Sequence, residues 1–116
     1  MQTKEILTDE QYNVLSKKLI DTIERRYKVI PLNTLKHPQY SLKRPVYITV
    51  EIEKDLVIAS LDDIEAFAYA DTEFEAINNL CEEIINIYED LKNDKENLGI
   101  LPQKWLAYLE EVIESK

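Results

Sequence analysis

Few side chains in this chain of 116 residues have the type and spacing that chemistry requires, and most of those that do are acids. Glu51 and Glu53 stand two apart in the run Val46-Tyr47-Ile48-Thr49-Val50-Glu51-Ile52-Glu53, so on a strand both project from one face. Asp71 closes a later apolar run. Convergent carboxylates on strands and a neighbouring helix are what a two-metal nuclease needs. Asp71, however, leads into Thr72 and Glu75, spaced as a helix capping box, which accounts for it without a metal. The glutamates alternate with apolar residues and therefore face solvent. The single histidine, His37, precedes Pro38 and has no second metal ligand at a useful spacing. Cys81 lies in the apolar stripe of an amphipathic run, with no positive neighbour there to lower its pKa, so it reads as a buried, inert thiol. No Ser-His-Asp or Cys-His arrangement is present, and a single glycine argues against a glycine-rich phosphate loop. The expectation is a protein with no catalytic residue, no metal and no cofactor.

Composition narrows the class. A chain that is 45% hydrophobic and 32% charged has the make-up of a globular domain, and its length suits a single one. No apolar run approaches the ~18–20 residues of a membrane span. The opening residues lack the apolar core of a signal peptide, and one cysteine allows no internal disulfide. A cytoplasmic protein with no membrane association is expected. Charge is uneven: residues 1–45 hold nine Lys/Arg against five Asp/Glu, whereas residues 46–116 hold five against eighteen. The acidic part should repel nucleic acid and attract basic partners.

The elements that must position these acids follow from periodicity. Thr8 and Gln11 make a capping box, Leu7 can staple to Tyr12, and Tyr12, Leu15, Leu19 and Ile23 share a stripe with Ile20 beside it. A helix over residues 9–26 is predicted, its stripe covered most simply by the sheet that follows. Residues 27–32 are β-prone, and Pro31 restricts them to an edge strand or an exit from the helix. Residues 33–44 are polar, with Lys36, His37, Lys43 and Arg44 along them, and are expected to be a loop. The alternating run from Val46 predicts a strand through Glu53, with a turn at Lys54-Asp55. A second strand over Leu56–Leu61, a break at Asp62-Asp63 and a third strand over residues 64–70 complete an antiparallel meander. At Thr72 the period becomes helical, and Ala76, Ile77, Leu80, Cys81, Ile84, Ile87, Tyr88 and Leu91 trace one face. After Gly99 and Pro102 a last helix carries Trp105, Leu106, Leu109, Val112 and Ile113. Trp105 either anchors that helix to its own domain or serves as an aromatic hot spot for a partner. The fold class predicted is α+β: a three- to four-stranded antiparallel sheet packed by a long central helix, with flanking helices at both ends. The single domain divides into residues 1–44, 45–92 and 93–116.

The stretches VYITVEIE, VIASLDDIEAFAYA and DTEFEAINNLCEEIINIYEDL together resemble the HicB-like antitoxin family. Its members run strand, turn, strand, a Pro-Asp-Leu-like break, strand, and a Gly-Asp-Thr-x-x-Glu-Ala helix start. The matching positions here are Asp62, Asp63 and Ile64 for the break, and Ala70, Asp71, Thr72, Glu75, Ala76 and Ile77 for the helix start. Where the family usually has glycine, this chain has Asp55-Leu56, Asp62-Asp63 and Ala70, which marks a divergent relative. The resemblance implies a partial ribonuclease-H-like core without catalysis that neutralises a small basic toxin, HicA-like or otherwise RNA-cleaving. Family members often add a DNA-binding segment after the core. The tail, residues 92–116, is too poor in basic groups to grip phosphates, so operator contact would fall to the N-terminal segment alone. Expected partner contacts are Tyr47, Thr49, Glu51 and Glu53 on the wetter sheet face, the acids Asp62, Asp63 and Glu65, and Trp105. Other functions open to the same residues are a non-catalytic interaction protein that forms a homodimer or higher oligomer through open sheet edges, or a nucleic-acid-binding regulator acting through residues 1–45.

Overall fold

Strict alternation of apolar and polar residues from Val46 onward makes a strand with one dry and one wet side. In the computed structural model, which describes residues 28–116, that strand is β3. The described elements run β1 (Lys28–Leu32), β2 (Tyr40–Leu42), β3 (Val46–Glu53), β4 (Leu56–Leu61), β5 (Ala66–Ala70), α1 (Glu73–Asn93), α2 (Ile100–Val112) and β6 (Ile113–Ser115). Short 3-10 turns occupy Asp62–Ile64 and Lys95–Asn97. Strands β1, β3, β4 and β5 form one antiparallel sheet in that order, so the meander β3-β4-β5 gains β1 as a fourth strand. The helix expected over residues 9–26 lies outside the described residues. What is described is an α+β fold, four antiparallel strands covered on one side by two helices.

Val46, Ile48 and Val50 of β3 and Val57, Ala59 and Leu61 of β4 are buried against Ala76, Leu80, Cys81, Ile84, Ile85 and Tyr88 of α1. The alanines of β5, at positions 66, 68 and 70, present little bulk on that side, which lets α1 lie close along the strand it follows. The change of period is enforced by a cap: Thr72 is extended, its Oγ1 accepts the Glu75 backbone N–H at 3.2 Å and donates to Glu75 Oε1 at 3.0 Å. A cap of this kind contributes ~1 kcal/mol. Helix α2 packs on α1 and on the Asp62–Ile64 turn, burying Leu106, Leu109 and Val112. Both helices therefore lie on the same side of the sheet.

Three expectations are corrected. Residues 33–44 are not wholly loop: Tyr40–Leu42 forms β2, pairing antiparallel with β6, whose Ile113 was expected in the last helix. Lys43 N–H donates to Val112 O at 2.7 Å and Lys116 N–H to Gln39 O at 2.9 Å, extending this small ladder. Neither strand has enough residues to show a period, and the partner stands some seventy positions away in the chain. The third strand starts at Ala66, not at residue 64. Ile64 belongs to the 3-10 turn and is 1% exposed, and Glu65 closes that turn in the left-handed region at φ 54°. The same turn is held by Glu65 N–H donating to Asp62 O at 3.1 Å.

Residues 33–44 are fastened to α1. Tyr40 packs edge-on against Tyr88 with ring centroids 5.5 Å apart, and its hydroxyl donates to Glu89 Oε2 at 3.2 Å. Lys92 Nζ donates to the same hydroxyl at 3.3 Å and lies 4.4 Å from the Tyr88 ring centroid.

Candidate protein-binding face

The two-residue turn at Lys54-Asp55 sets the register, and the register sets which side chains share the outer face. With Glu53 opposite Leu56, Glu51 falls opposite Ile58 and Thr49 opposite Ser60. Ser60 then faces Phe67 and Ile58 faces Tyr69, while on the other flank Thr49 faces Val29 and Tyr47 faces Pro31. One row across the sheet is thus Val29, Thr49, Ser60 and Phe67; the next is Glu51, Ile58 and Tyr69. Four of these are large and well exposed: Val29 64%, Tyr47 65%, Phe67 60% and Tyr69 62%. Thr49, Ser60, Glu51 and Ile58 are half-buried between them. The face is a shallow floor of small hydroxyl side chains rimmed by aromatic rings, with a carboxylate set into it. Such a surface can take apolar side chains, stack a guanidinium on Tyr69 and pair it with Glu51 across Ile58.

Of the residues expected from sequence, Tyr47, Thr49 and Glu51 come together here. Glu53 ends β3 at the hairpin, on the same side by alternation. Asp62 and Asp63 sit in the 3-10 turn that follows β4, and Glu65 leads from it into β5. Asp63 is turned toward α2: burial, with a hydrogen bond to the Asp63 carboxylate, pushes the Tyr108 phenol up to about 12. Trp105 is half-buried against the core on α2, on the helix side of the sheet, apart from this face. Val29, Ile58, Phe67 and Tyr69 were not among the expected contacts. Their signal was present, because a two-residue turn after Glu53 forces Glu51 opposite Ile58 and brings the aromatics of β5 into the same surface.

The other side-chain clusters are tied up within the chain. A cleft of about 290 Å³ between the loop after β1 and α1 is lined by Lys36, His37, Phe74, Asn78 and Cys81 among others. Lys36 Nζ donates to Asn78 Oδ1 at 2.7 Å and lies 4.6 Å from the Phe74 ring centroid. The Cys81 thiol donates to Thr34 O at 3.7 Å, and burial raises its pKa. Lys43 Nζ donates to Glu110 O at 3.2 Å, Arg44 pairs with Glu111 at 3.3 Å, and His37 Nδ1 accepts the Gln39 N–H at 3.0 Å. Among the described residues no three His, Cys, Asp or Glu side chains are grouped to hold a metal ion, and no helix is long and apolar enough to cross a membrane. Set against known proteins, the chain matches no family model, no curated protein and no solved structure.

Proposed function

We propose that this chain is a non-catalytic, antitoxin-like binding protein that covers the positive surface of a small, basic, RNA-cleaving toxin with the outer face of its sheet. One observation carries this reading: exposed Tyr47, Phe67 and Tyr69 share with Glu51 a face that neither α1 nor α2 covers. A basic RNA-binding surface offers arginines and lysines, which stack on tyrosine and pair with carboxylates. The described residues hold nine Lys/Arg against eighteen Asp/Glu, so attraction over distance would speed the encounter with such a partner. The resemblance of residues 46–91 to HicB-like antitoxins supports the same role. Neutralisation needs no chemistry from this chain; occupying the toxin's phosphate-binding surface excludes RNA.

The test is first whether a small basic protein is encoded beside this chain, then whether the two bind and whether its RNA cleavage stops. A tight complex that stops cleavage is expected, with affinity at least about tenfold lower when Glu51→Lys and Tyr47→Ser are combined. A complex indifferent to both substitutions, or continued cleavage within the complex, would defeat the proposal.

A further inference from the structure

The edges of the four-stranded sheet, β1 and β5, are unlike, and the hairpin between β3 and β4 shows how. Its two-residue loop makes Glu53 and Leu56 the hydrogen-bonded pair that closes it. Bonded and non-bonded pairs alternate from there. Val57, Ala59 and Leu61 therefore bond Ala70, Ala68 and Ala66, and the backbone N–H and C=O groups of Phe67 and Tyr69 point out of the sheet. Asn79 Nδ2 donates to Tyr69 O at 3.3 Å, as befits a carbonyl not spent on β4. At the far edge the same alternation turns Pro31, which has no N–H, away from β3. Proline thus blunts the β1 edge, whereas β5, Ala-Phe-Ala-Tyr-Ala, has neither proline nor charge. Among the described residues no strand pairs with its open side.

We infer that the β5 edge accepts an extended strand of the basic partner, added to the sheet through the backbone of Phe67 and Tyr69. This rests on the reading of the chain as a cover for a basic protein and names the backbone contact. Asn79 holds the place of one incoming N–H. Charge selects the occupant. Exposed Glu65 and Asp71 stand at the two ends of β5, so a strand with lysine or arginine at its ends is held at both. The same acids disfavour a second copy. Antiparallel pairing of two β5 strands through their outward groups sets Phe67 of one against Tyr69 of the other, and then Glu65 against Asp71 on both sides of the two-fold axis. Side chains of the added strand alternate, and one set extends the outer face beside Phe67 and Tyr69.

The probe is a short synthetic peptide alternating valine and threonine, with paired lysines at both ends, added to the full-length protein. In the free protein the Phe67 and Tyr69 amides should exchange with deuterium faster than the Ala68 amide, which bonds β4, and the peptide should slow both. Glutamates in place of the terminal lysines should weaken binding at least about tenfold. Phe67→Pro should bind the peptide about two- to tenfold less tightly than Phe67→Ala, because both lose the ring and only proline loses the outward N–H. Methylating one alternate set of peptide nitrogens should abolish binding, and methylating the other set should spare it, a comparison that needs no variant protein. No binding at millimolar peptide, indifference to end charge, or equal binding of the two methylated peptides would overturn the inference. So would Phe67 and Tyr69 amides already protected in the free protein: protection that grows with concentration would give the edge to a second copy, and constant protection to the chain's own residues. Peptide binding without any toxin complex would sink the toxin reading and leave the strand site. A toxin complex in which both amides exchange as before would defeat the strand site alone.

Discussion

Tyr47 and Ile48 are consecutive residues of one strand, yet one is 65% exposed and the other 0%. They share backbone geometry and belong to the same sheet; they differ in what stands opposite. Ile48 looks into the layer made by α1 and α2, whereas Tyr47 looks outward past Pro31. An antiparallel sheet with one solvated face normally carries polar side chains there. This one carries Val29, Tyr47, Phe67 and Tyr69. The inner face therefore accounts for the fold, and the outer face holds apolar area whose removal from water, at ~25 cal/mol per Å², remains available to a second molecule. Large exposed apolar side chains gathered on one face mark an interaction site more often than singly scattered ones do.

The sharpest way to break that comparison is to remove the inner side chain. Ile48→Ala should cost about 2–5 kcal/mol, since a fully buried aliphatic side chain leaves a cavity that its neighbours fill only in part. Urea unfolding followed by circular dichroism measures it. A cost below about 1 kcal/mol would mean that the inner face is not the core.

Much of this division was legible beforehand, because period-two alternation in residues 46–53 and the change of period at Thr72 are local signals that tertiary structure did not override. Candidate contacts Tyr47, Thr49 and Glu51 came from that alternation alone. Phe67 and Tyr69 required a further step, carrying the register through Lys54-Asp55 and across β4, and without it their strand looked independent. The β2–β6 pair could not be read at all: three residues show no period, and pairing between Leu42 and Ile113 is a property of how α2 returns the chain. Left-handed backbone was equally hidden. It falls at Lys36 and Glu65, while the lone glycine, Gly99, sits at an ordinary φ of −71°.

Smaller effects sharpen the account of what the inner layer holds. Thr72→Ala removes the side-chain acceptor for the Glu75 N–H at the start of α1 and should cost ~1 kcal/mol in the same unfolding assay. Glu65→Gly should act in the opposite sense and raise the unfolding free energy by up to about 1 kcal/mol, because glycine adopts the left-handed region without a clash at Cβ. Tyr108 gives a pH signature. Its phenol is raised from the ordinary 10.0 to about 12, first by burial and then by Asp63, so the folded state holds the proton more tightly than the unfolded chain. That contribution is complete below pH ~10 and is lost as pH rises through ~12. Tyr108→Phe should flatten the fall in stability between those values relative to the parent protein.

The smallest expected effect on stability belongs to the outer face, and it tells most about function. Tyr47→Ser changes a side chain exposed on the open side of β3, so the isolated fold should lose no more than about 0.5 kcal/mol, against several for its neighbour Ile48. That near-neutrality holds only while the face is uncovered. If two copies bury it, unfolding becomes coupled to dissociation and the melting temperature of the parent protein rises with concentration. The serine variant should then match the parent at high dilution and fall progressively below it as concentration increases, a divergence that no Ile48 substitution would show. Equal concentration dependence in the two proteins would mean that Tyr47 meets no second chain, and the outer face would stand as an exposed surface awaiting a different partner.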